Sequence, residues 1–420
     1  MSVQKPSRYS PDTAQPFLKQ ANDARAKPWQ AAAFAQLAAR GLPTPKLERW
    51  KYTNLAGFAQ SGANLAQKTN LGTNPVSLPW MFQNSRKLVF VNGFLALGDA
   101  RITLAGQGMD AACDTAPMDM FADGMMWALN MALAADGPQI TATEDGALFE
   151  IMYLGQWADD KLLASPRGTI DVAANIGVTI VEQFLPVGAG QVHTNAGLEI
   201  NVAAGAKLTH IRVQDEGRDR TVISTTHARV ARDATYDAFF LNLGAGLSRQ
   251  EIWVELDEAG ARATINGAQL LSGRQHMDTT VLIDHKAPHC SSSQIIRNVL
   301  DGEAVGVFQG KIHVHQVAQK TDGYQLCNTL MLSDRAQMNT KPELEIYADD
   351  VKCSHGTTTG KIDDAPLFYL RSRGIPEAEA RRMMLTAFIG DLYADLPENV
   401  QTALMQQVEG WLDHAAAKES

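Results

Sequence analysis

LEINVAAGAKLTHIRV, residues 198 to 213, alternates apolar and polar side chains on both sides of a short glycine-containing break. Alternation with a period of two predicts strands with one buried face, and the break predicts a corner between them. Similar segments, such as IDVAANIGVTIVEQFL (170 to 185) and EIWVELD (251 to 257), follow one another from about Gly168 to His355. Because helical periodicity is weak throughout this range, the sequence predicts a long all-β region.

The corners of this region recur as a small or acidic pair followed by a strand. We identify them at residues 203–208, 231–236, 257–265, 300–308, 332–338 and 348–354. Their spacing, mostly about 27 to 42 residues, indicates an irregular repeat of the kind a β-solenoid produces. A β-sandwich would fit the alternation almost as well. A solenoid must end in a coil whose edge is open or covered, and the strand that contains Cys353 falls at such an end.

The stretch from Leu344 to Gly374 reads LEIYADDVKCSHGTTTGKIDDAPLFYLRSRG. Cys353 and His355 alternate in it with Lys352 and Ser354, so an extended strand projects the thiol and the imidazole from one face. Both groups can bind transition metals, but zinc and iron-sulfur clusters usually take four ligands. Either the two belong to a half-buried terminal strand, or further ligands come from elsewhere in the chain, exogenous thiols or another subunit.

Composition narrows the class of protein and its compartment. The 420-residue chain has a formal net charge of −9, which disfavours general binding to nucleic acid or to an anionic membrane surface. Its N-terminus lacks the apolar segment of a signal peptide, and we find no apolar run of about 18 residues. We therefore expect a cytoplasmic protein with reduced thiols. The four cysteines, none in a CxxC motif, are Cys113, Cys290, Cys327 and Cys353.

Around the β region we expect an N-terminal helical region (1–80), a mixed α/β connection (81–165), the β core itself (166–358) and a C-terminal helical region (359–420). Residues 1–27 contain three prolines and predict a loosely held arm, and Pro28 begins an amphipathic helix. LVFVNGFLAL (88 to 97) predicts a hairpin about its Asn-Gly pair. FADGMMWALNMALAA (121 to 135) predicts a mostly buried helix.

Two amphipathic helices are predicted after the glycines, one beginning at Pro376 and one after Pro397. They could cover the β region or bind a partner protein. The apolar face of the first contains Ala380, Met383, Met384, Ala387 and Phe388, and that of the second contains Val400, Leu404, Val408, Trp411 and Leu412.

Two further motifs were considered as possible phosphate-binding or metal-binding sites. GTTTGK (356 to 361) has three residues between its glycines and Ile362 after the lysine, so it does not fit a phosphate-binding loop and we expect no ATP site. His313 and His315 could offer two nitrogens to one metal ion, but no carboxylate follows before Asp322. Surface or hydrogen-bonded histidines are favoured, and a single-chain cupin-like or β-helix metalloenzyme using this pair is kept as the alternative.

KPELEIYADDVKCSHGTTTGKIDDAPLFYLRSRGI (341 to 375) resembles the C-terminal signature of the SufB/SufD family of iron-sulfur cluster assembly proteins. Residues 43–55, 88–95 and 127–137 resemble further blocks of that family. The resemblance implies a right-handed parallel β-helix between helical N- and C-terminal regions. It also implies pairing with SufB through the ends of the two β-helices, and binding of one SufC ATPase by the C-terminal helices.

The resemblance also suggests roles for individual residues. Cys353 and His355 would belong to the SufB-facing interface, where a transient iron-sulfur cluster or iron is bound, and the acidic pair Asp363 and Asp364 would support that site or stabilise a helix N-terminus. Candidates for SufC docking on the C-terminal helices are Met383, Met384, Phe388, Leu404 and Trp411.

One position separates the branches of the family. SufB proteins carry a cysteine where this chain has Ala336. The resemblance therefore implies a non-catalytic auxiliary subunit that does not hold a cluster unaided, with ATP hydrolysis in SufC. It leaves open whether the isolated chain forms a homodimer, whether reduced flavin takes part in the complex, which residues deliver iron, and which cluster type forms.

Overall fold

The structure, a computed structural model, describes residues 11–20, 28–69, 78–98, 124–134, 136–156, 161–188 and 190–416. Its centre is a parallel β-solenoid of about 7 turns, in which the chain alternates between two ten-stranded sheets. The first sheet has the order β1-β6-β9-β11-β13-β15-β17-β19, with β4 and β7 beside this path. The second has the order β20-β18-β16-β14-β12-β10-β8-β5-β2-β3.

The strands cover most of the chain between residues 64 and 360. They are β1 Asn64–Leu65, β2 Arg86–Val91, β3 Phe94–Gly98, β4 Gln139–Ala142, β5 Ala147–Gln156, β6 Leu162–Ala164, β7 Arg167–Val172, β8 Gly177–Val187, β9 Val192–Val202, β10 Lys207–Gln214, β11 Thr221–Val230, β12 Thr235–Asn242, β13 Leu247–Leu256, β14 Arg262–Leu271, β15 His276–His285, β16 Ser291–Leu300, β17 Val305–Val314, β18 Asp322–Met331, β19 Gln337–Ile346 and β20 Lys352–Gly360.

Helices precede, interrupt and follow the strands. The α-helices of the described residues are α1 Gln15–Gln20, α2 Pro28–Arg40, α3 Ala56–Ala59, α4 Met125–Leu133, α5 Asp364–Ser372, α6 Glu377–Gly390 and α7 Glu398–Ala416. Short 3-10 helices cover Pro11–Thr13, Glu48–Trp50 and Asp391–Tyr393. None of the helices in these ranges is long and apolar enough to cross a membrane.

The predicted solenoid is confirmed, and the β-sandwich is excluded because the paired strands of successive coils run parallel. Thr235 pairs with Arg262, Arg262 with Ser291, Ser291 with Asp322 and Asp322 with Lys352, which gives a repeat of 27 to 31 residues. The same parallel ladders exclude the cupin-like alternative, since cupins are antiparallel jelly rolls. In the second sheet the ladder continues ahead of the predicted core, through β5 and β2.

The predicted corners prove to belong to two different sets. The segments at 300–308 and 332–338 lead into the first sheet, whereas the other four lead into the second. The corners into the second sheet before β16 and β18 are among those that were missed. At each of these the residue two positions before the strand has a positive φ, and it is His289 or Lys320 where other coils use Gly205, Asp233 or Gly260. Small and acidic residues are the usual occupants of that conformation, so a composition rule misses the two corners.

The hydrophobic interior lies between the inner faces of the two sheets, and the helices cover parts of the outer faces. Helices α1, α2 and α4 pack with Leu163 and Ile223 of the first sheet. Helices α6 and α7 pack on the second sheet, where Leu404 and Val408 contact the cluster that includes Ile211 and Phe239. The C-terminal helices therefore cover the β region, as one of the two predicted roles required.

Three expectations for the N-terminal half have clear outcomes. The loosely held arm is wrong for residues 11–20, since Phe17 and Leu18 of α1 are buried; residues 1–10 and 21–27 lie outside the described residues. The Asn-Gly hairpin is confirmed, because β2 and β3 pair antiparallel with positive φ at Asn92 and Gly93. The predicted helix at 121–135 is α4, buried along its whole length, with 121–123 and 135 outside the described residues.

Candidate functional site

The last coil of the solenoid, formed by β19 and β20, carries the predicted thiol and imidazole. β19 ends the first sheet and β20 ends the second, so both lie at the same end of the solenoid. Each is paired on one edge only within the described part of the chain, β19 with β17 and β20 with β18. Unpaired backbone groups along a strand edge are a template for pairing with another chain.

Cys353 is half-buried on the inner face of β20. It is the register partner of Gly323 on β18, and a Cβ atom on Gly323 would lie 3.4 Å from the Cys353 Sγ atom. The thiol also borders a small apolar cluster that includes Ile312, Val314 and Leu344. Burial raises the pKa of Cys353 above its usual value, helped by Asp322 and opposed by a backbone hydrogen bond from Gly323. In the isolated chain the sulfur is therefore a thiol, and a bound metal would have to displace its proton.

His355 lies on the same face of β20 and is exposed, because no further coil covers it. Its register partner on β18 is Gln325, which is fully buried. The side-chain Nε2 atom of Gln325 lies 3.4 Å from the side-chain Oε1 atom of Gln294 in the preceding coil. The same Nε2 atom occupies the space that a side chain at Gly310 would need. A column of polar side chains thus runs inward from the exposed imidazole.

Two threonine hydroxyl groups connect the two strands of the terminal coil. Thr357 on β20 and Thr340 on β19 approach to 3.4 Å between their Oγ1 atoms, across the interior from one sheet to the other. Thr357 is on the same face as Cys353 and His355 by the period of two. The candidate site is therefore the inner face of β20, which is accessible from the end of the solenoid. Thr340 of the first sheet lies opposite this face.

The acidic pair after β20 has a structural role. The Asp363 side chain accepts a hydrogen bond of 2.9 Å from the Ala365 backbone N–H, which makes it the N-cap of α5, and Asp364 is in the first turn. An N-cap of this type satisfies a free helix donor, and both charges suit the positive end of the helix dipole.

The five candidates for partner docking do not form one accessible face. Met383 is exposed, Met384 and Phe388 are half-buried, and Leu404 and Trp411 are buried against the second sheet of their own chain. Helical spacing indicated the apolar face of α7 correctly but not what covers it. Two large side chains of α5, Phe368 and Tyr369, are 72% and 57% exposed and were not among the candidates.

Ala336 lies in the corner that leads into β19 and is buried, with Leu271, Met277, Leu300 and Ala304 around it. Position 336 is therefore a packed, apolar one in this chain. A methyl group there offers no ligand, which leaves Cys353 and His355 as the ligand-capable side chains of the terminal strand β20.

His313 and His315, the pair behind the alternative function, lie on the outer face of the first sheet and are hydrogen-bonded, as favoured from sequence. Both rings contact the carboxylate of Asp284, which comes from the preceding coil. Downstream of the pair the sequence has no carboxylate before Asp322, whereas the coil register supplies one 29 residues upstream of His313.

The chain is similar to known proteins over most of its length. Residues 156–388 match the family model described as SUF system FeS cluster assembly, SufBD core domain. The iron-sulfur cluster assembly protein SufD of Escherichia coli (strain K12) is 31% identical over 401 residues, covering 93% of each chain. The SufBD family protein slr0076 of Synechocystis is 30% identical over 385 residues, covering 85% of this chain and 84% of the relative.

The match to the family model covers more than half of the chain, and the match to the bacterial SufD covers nearly all of both proteins. The fold of that matched region is the parallel solenoid described above. The chain therefore belongs to the SufB/SufD family of iron-sulfur cluster assembly proteins and is of the SufD type.

Proposed function

We propose that this chain is a scaffold subunit whose terminal coil supplies Cys353 and His355 to an iron or iron-sulfur cluster site shared with SufB. The observation that carries the proposal is the position of these side chains on β20, the last strand of its sheet, with one edge unpaired in the described structure. A thiolate and a neutral imidazole are suitable ligands for iron. Their position at an end of the solenoid makes them available to a second protein.

The ligand count supports a shared site. Two protein ligands fall short of the four that an iron-sulfur cluster usually takes. Ala336 is buried and offers no third ligand, and Cys290 and Cys327 are buried in the interior of earlier coils. Burial also raises the pKa of Cys327 to about 12, which keeps its sulfur protonated. Cys113 lies outside the described residues, and we propose that the missing ligands come from the partner.

The edges of β19 and β20 provide the means of pairing. Both strands end their sheets at one end of the molecule, so a second solenoid could continue both ladders at once. Pairing of this kind would bury the exposed imidazole and the half-buried thiol. The site would then be enclosed only in the complex, where a movement of one subunit against the other could open or close it.

The C-terminal helices are proposed to bind the ATPase SufC, which would supply the energy for that movement. Their inner faces are used within the chain, by Leu404 and Trp411 among others. The exposed apolar side chains that are left for a partner on these helices are Phe368, Tyr369 and Met383. Aromatic side chains are enriched at protein interfaces, which supports this surface as the binding site.

The test is to purify the chain anaerobically together with SufB and SufC, as wild type and as Cys353→Ser and His355→Ala variants. Ser354→Ala is the matched control, because Ser354 is exposed on the opposite face of the same strand. We expect all four complexes to form, and we expect iron and acid-labile sulfide to fall in the first two variants only. Full cluster content in the Cys353→Ser, His355→Ala double variant would contradict the proposal.

A further inference from the structure

Three ligand-capable side chains converge on the outer face of the first sheet. The Nδ1 atom of His313 lies 2.8 Å and the Nε2 atom of His315 lies 2.9 Å from the same oxygen, Oδ1 of Asp284. One ligand atom from each of the three residues lies within 4.8 Å of the others. This cluster, Asp284 with His313 and His315, has no role in the function proposed above.

The solenoid repeat builds the cluster. Asp284 on β15 and His313 on β17 are register partners in adjacent parallel strands, so their side chains leave the same face about 4.8 Å apart. His315 follows two residues after His313 and therefore points to that face as well. Its backbone N–H still donates to the His285 carbonyl, which keeps it in register just beyond the end of β17.

The Asp284 carboxylate is in an unusual situation for an acidic side chain. It is 1% exposed, and its second oxygen, Oδ2, is buried without a hydrogen-bond partner. A buried carboxylate oxygen that loses water without gaining a donor is costly. The two imidazoles approach only the other oxygen, so the group can still accept a donor or a cation.

We propose that Asp284, His313 and His315 bind a divalent first-row transition metal ion. Two imidazoles and one carboxylate are the donor set of many mononuclear metal sites, and imidazole favours such ions over Mg²⁺ or Ca²⁺. An ion held at about 2.1 Å by ligands at right angles places those ligands about 3.0 Å apart. The observed separations of 2.8 Å and 2.9 Å need to open only slightly to admit it.

The surroundings of the cluster suit a site that exchanges its ion with solution. The His313 and His315 side chains are partly exposed, which leaves open positions on the solvent side for water or a small ligand. The rings of His313 and Tyr347 make a T-shaped contact with their centres 5.7 Å apart, which limits rotation of the imidazole. Glu345, the register partner of His313, is engaged with Lys311 and Tyr347.

This site and the Cys353 site are separate, although β17 contributes to both. His313 is on the outer face of β17, whereas its chain neighbours Ile312 and Val314 point inward to the apolar cluster that borders Cys353. The thickness of a sheet and its side chains lies between them. Metal binding by the isolated chain can therefore be assigned to one site or the other with variants of each, and the outcome does not depend on the function proposed for Cys353 and His355.

The experiment uses the full chain alone, treated with a chelator, desalted anaerobically and titrated with Co²⁺, followed by competition with Fe²⁺ and Zn²⁺. We expect the wild-type chain to bind one equivalent of Co²⁺. The bound ion should show the visible absorption of Co²⁺ coordinated by imidazole and carboxylate ligands. His315→Ala, at a partly exposed position, should weaken binding at least about tenfold, because even residues that only support metal ligands are worth that much. Asp284→Asn keeps the shape and removes the charge, and it should have a similar effect.

Cys353→Ser with His355→Ala is the matched control and should leave this equivalent unchanged. Circular dichroism establishes that each variant is folded. Stoichiometric binding that survives His315→Ala and Asp284→Asn, or that disappears in the control, would overturn the assignment. Absence of any saturable Co²⁺ binding to folded wild-type protein would overturn it equally, since the imidazoles would then serve only as hydrogen-bond donors to Asp284.

Discussion

Cys353 and Gly323 are register partners, and the Sγ atom of Cys353 would lie 3.4 Å from a Cβ atom added to Gly323. The same added atom would lie 3.4 Å from two side-chain atoms of Ile312. Because 3.4 Å is an ordinary contact between such atoms, the site has room for one methyl group and for nothing larger. A side chain larger than that of alanine at position 323 would therefore press on the thiol and on Ile312.

Two substitutions test this fit. Gly323→Ala should leave the alkylation rate of Cys353 unchanged, whereas Gly323→Val should push the thiol out of its apolar cluster, speed alkylation and cost about 1–3 kcal/mol of stability. Alkylation is followed at the Cys353 peptide by mass spectrometry, so the buried cysteines do not interfere. Equal rates for all three proteins would show that Gly323 does not position the thiol.

The N-terminal region is attached to the first sheet by a buried charge pair. Arg249 and Asp278 form an ion pair with both side chains fully buried. The Trp50 ring stacks on the Arg249 guanidinium at 3.9 Å, and the Thr53 hydroxyl donates to Asp278 at 2.5 Å. Asp278→Asn should cost about 3 kcal/mol, because it leaves a buried guanidinium with Glu251 as its remaining charged partner.

Urea unfolding measures that loss, and Asp334→Asn is the matched control. Asp334 pairs with Lys361 at 2.6 Å, but both side chains are largely exposed. An exposed pair contributes less than about 1 kcal/mol. If Asp278→Asn cost no more than Asp334→Asn, the buried pair would not be what attaches the N-terminal region.

His193 should make stability depend on pH. Its Nδ1 atom accepts a hydrogen bond of 3.2 Å from the Thr221 backbone N–H, and burial lowers its pKa to about 4. Between the ordinary histidine pKa of about 6.5 and about 4, the unfolded chain therefore binds a proton that the folded chain does not. The contribution of His193 to the free energy of unfolding is fully present above pH 6.5. About 3 kcal/mol of that contribution is lost as the pH falls to 4.

The comparison protein is His193→Asn, which keeps an acceptor near the Thr221 N–H and does not titrate. The stability difference between wild type and this variant should shift by about 3 kcal/mol between pH 7 and pH 4. Other groups cancel in that difference, including Glu216, whose pKa burial raises to about 7. A difference that is constant over this range would mean that His193 keeps an ordinary pKa in the folded chain.

Phe368, one of the two exposed aromatic residues on α5, tests the proposed SufC-binding surface. Phe368→Ser should weaken SufC binding about 30-fold, the loss typical of an aromatic hot spot, and should leave the stability of the chain unchanged because Phe368 is 72% exposed. Val317→Ser is the control, since Val317 is also exposed but lies in the corner before β18. Equal SufC affinity for Phe368→Ser and wild type would show that Phe368 is not part of the SufC-binding surface.

Local patterns in the sequence predict what a strand or helix does by itself. The alternation at Cys353 and His355, the hairpin at Asn92 and the apolar face of α7 depend only on periodicity and turn chemistry, and all three agree with the structure. Contacts between coils depend on register, which local patterns do not contain. The meeting of Asp284 with His313 is such a contact.

The same limit applies to burial on the outer faces. The spacing of apolar residues predicts that both Leu404 and Met383 lie on the apolar face of a helix. The packed structure shows that Leu404 lies on the second sheet whereas Met383 faces solvent. The corners at His289 and Lys320 were missed because their positive φ is imposed by the ladders on both sides rather than by the residue type.

The interior of the solenoid depends on glycine where a large side chain from the next coil needs space. Gly267 on β14 is the register partner of Phe240 on β12, and a Cβ atom at Gly267 would overlap the tip of the buried Phe240 ring. Gly267→Ala should therefore cost about 1–3 kcal/mol. Phe240→Leu removes the ring and should cost on the order of 1 kcal/mol by itself.

In the double variant the new methyl group occupies space that the ring has left, so the two losses should not add. We expect a coupling free energy of about 1 kcal/mol or more in a double-mutant cycle measured by urea unfolding. Gly57→Ala in α3 is the control, because a Cβ there would meet nothing within 4 Å apart from its chain neighbours and the backbone of its own helix, and the substitution should not destabilise the chain. Additive losses at Gly267 and Phe240 would mean that the backbone moves to admit the methyl group, and that the two coils are not packed tightly at this position.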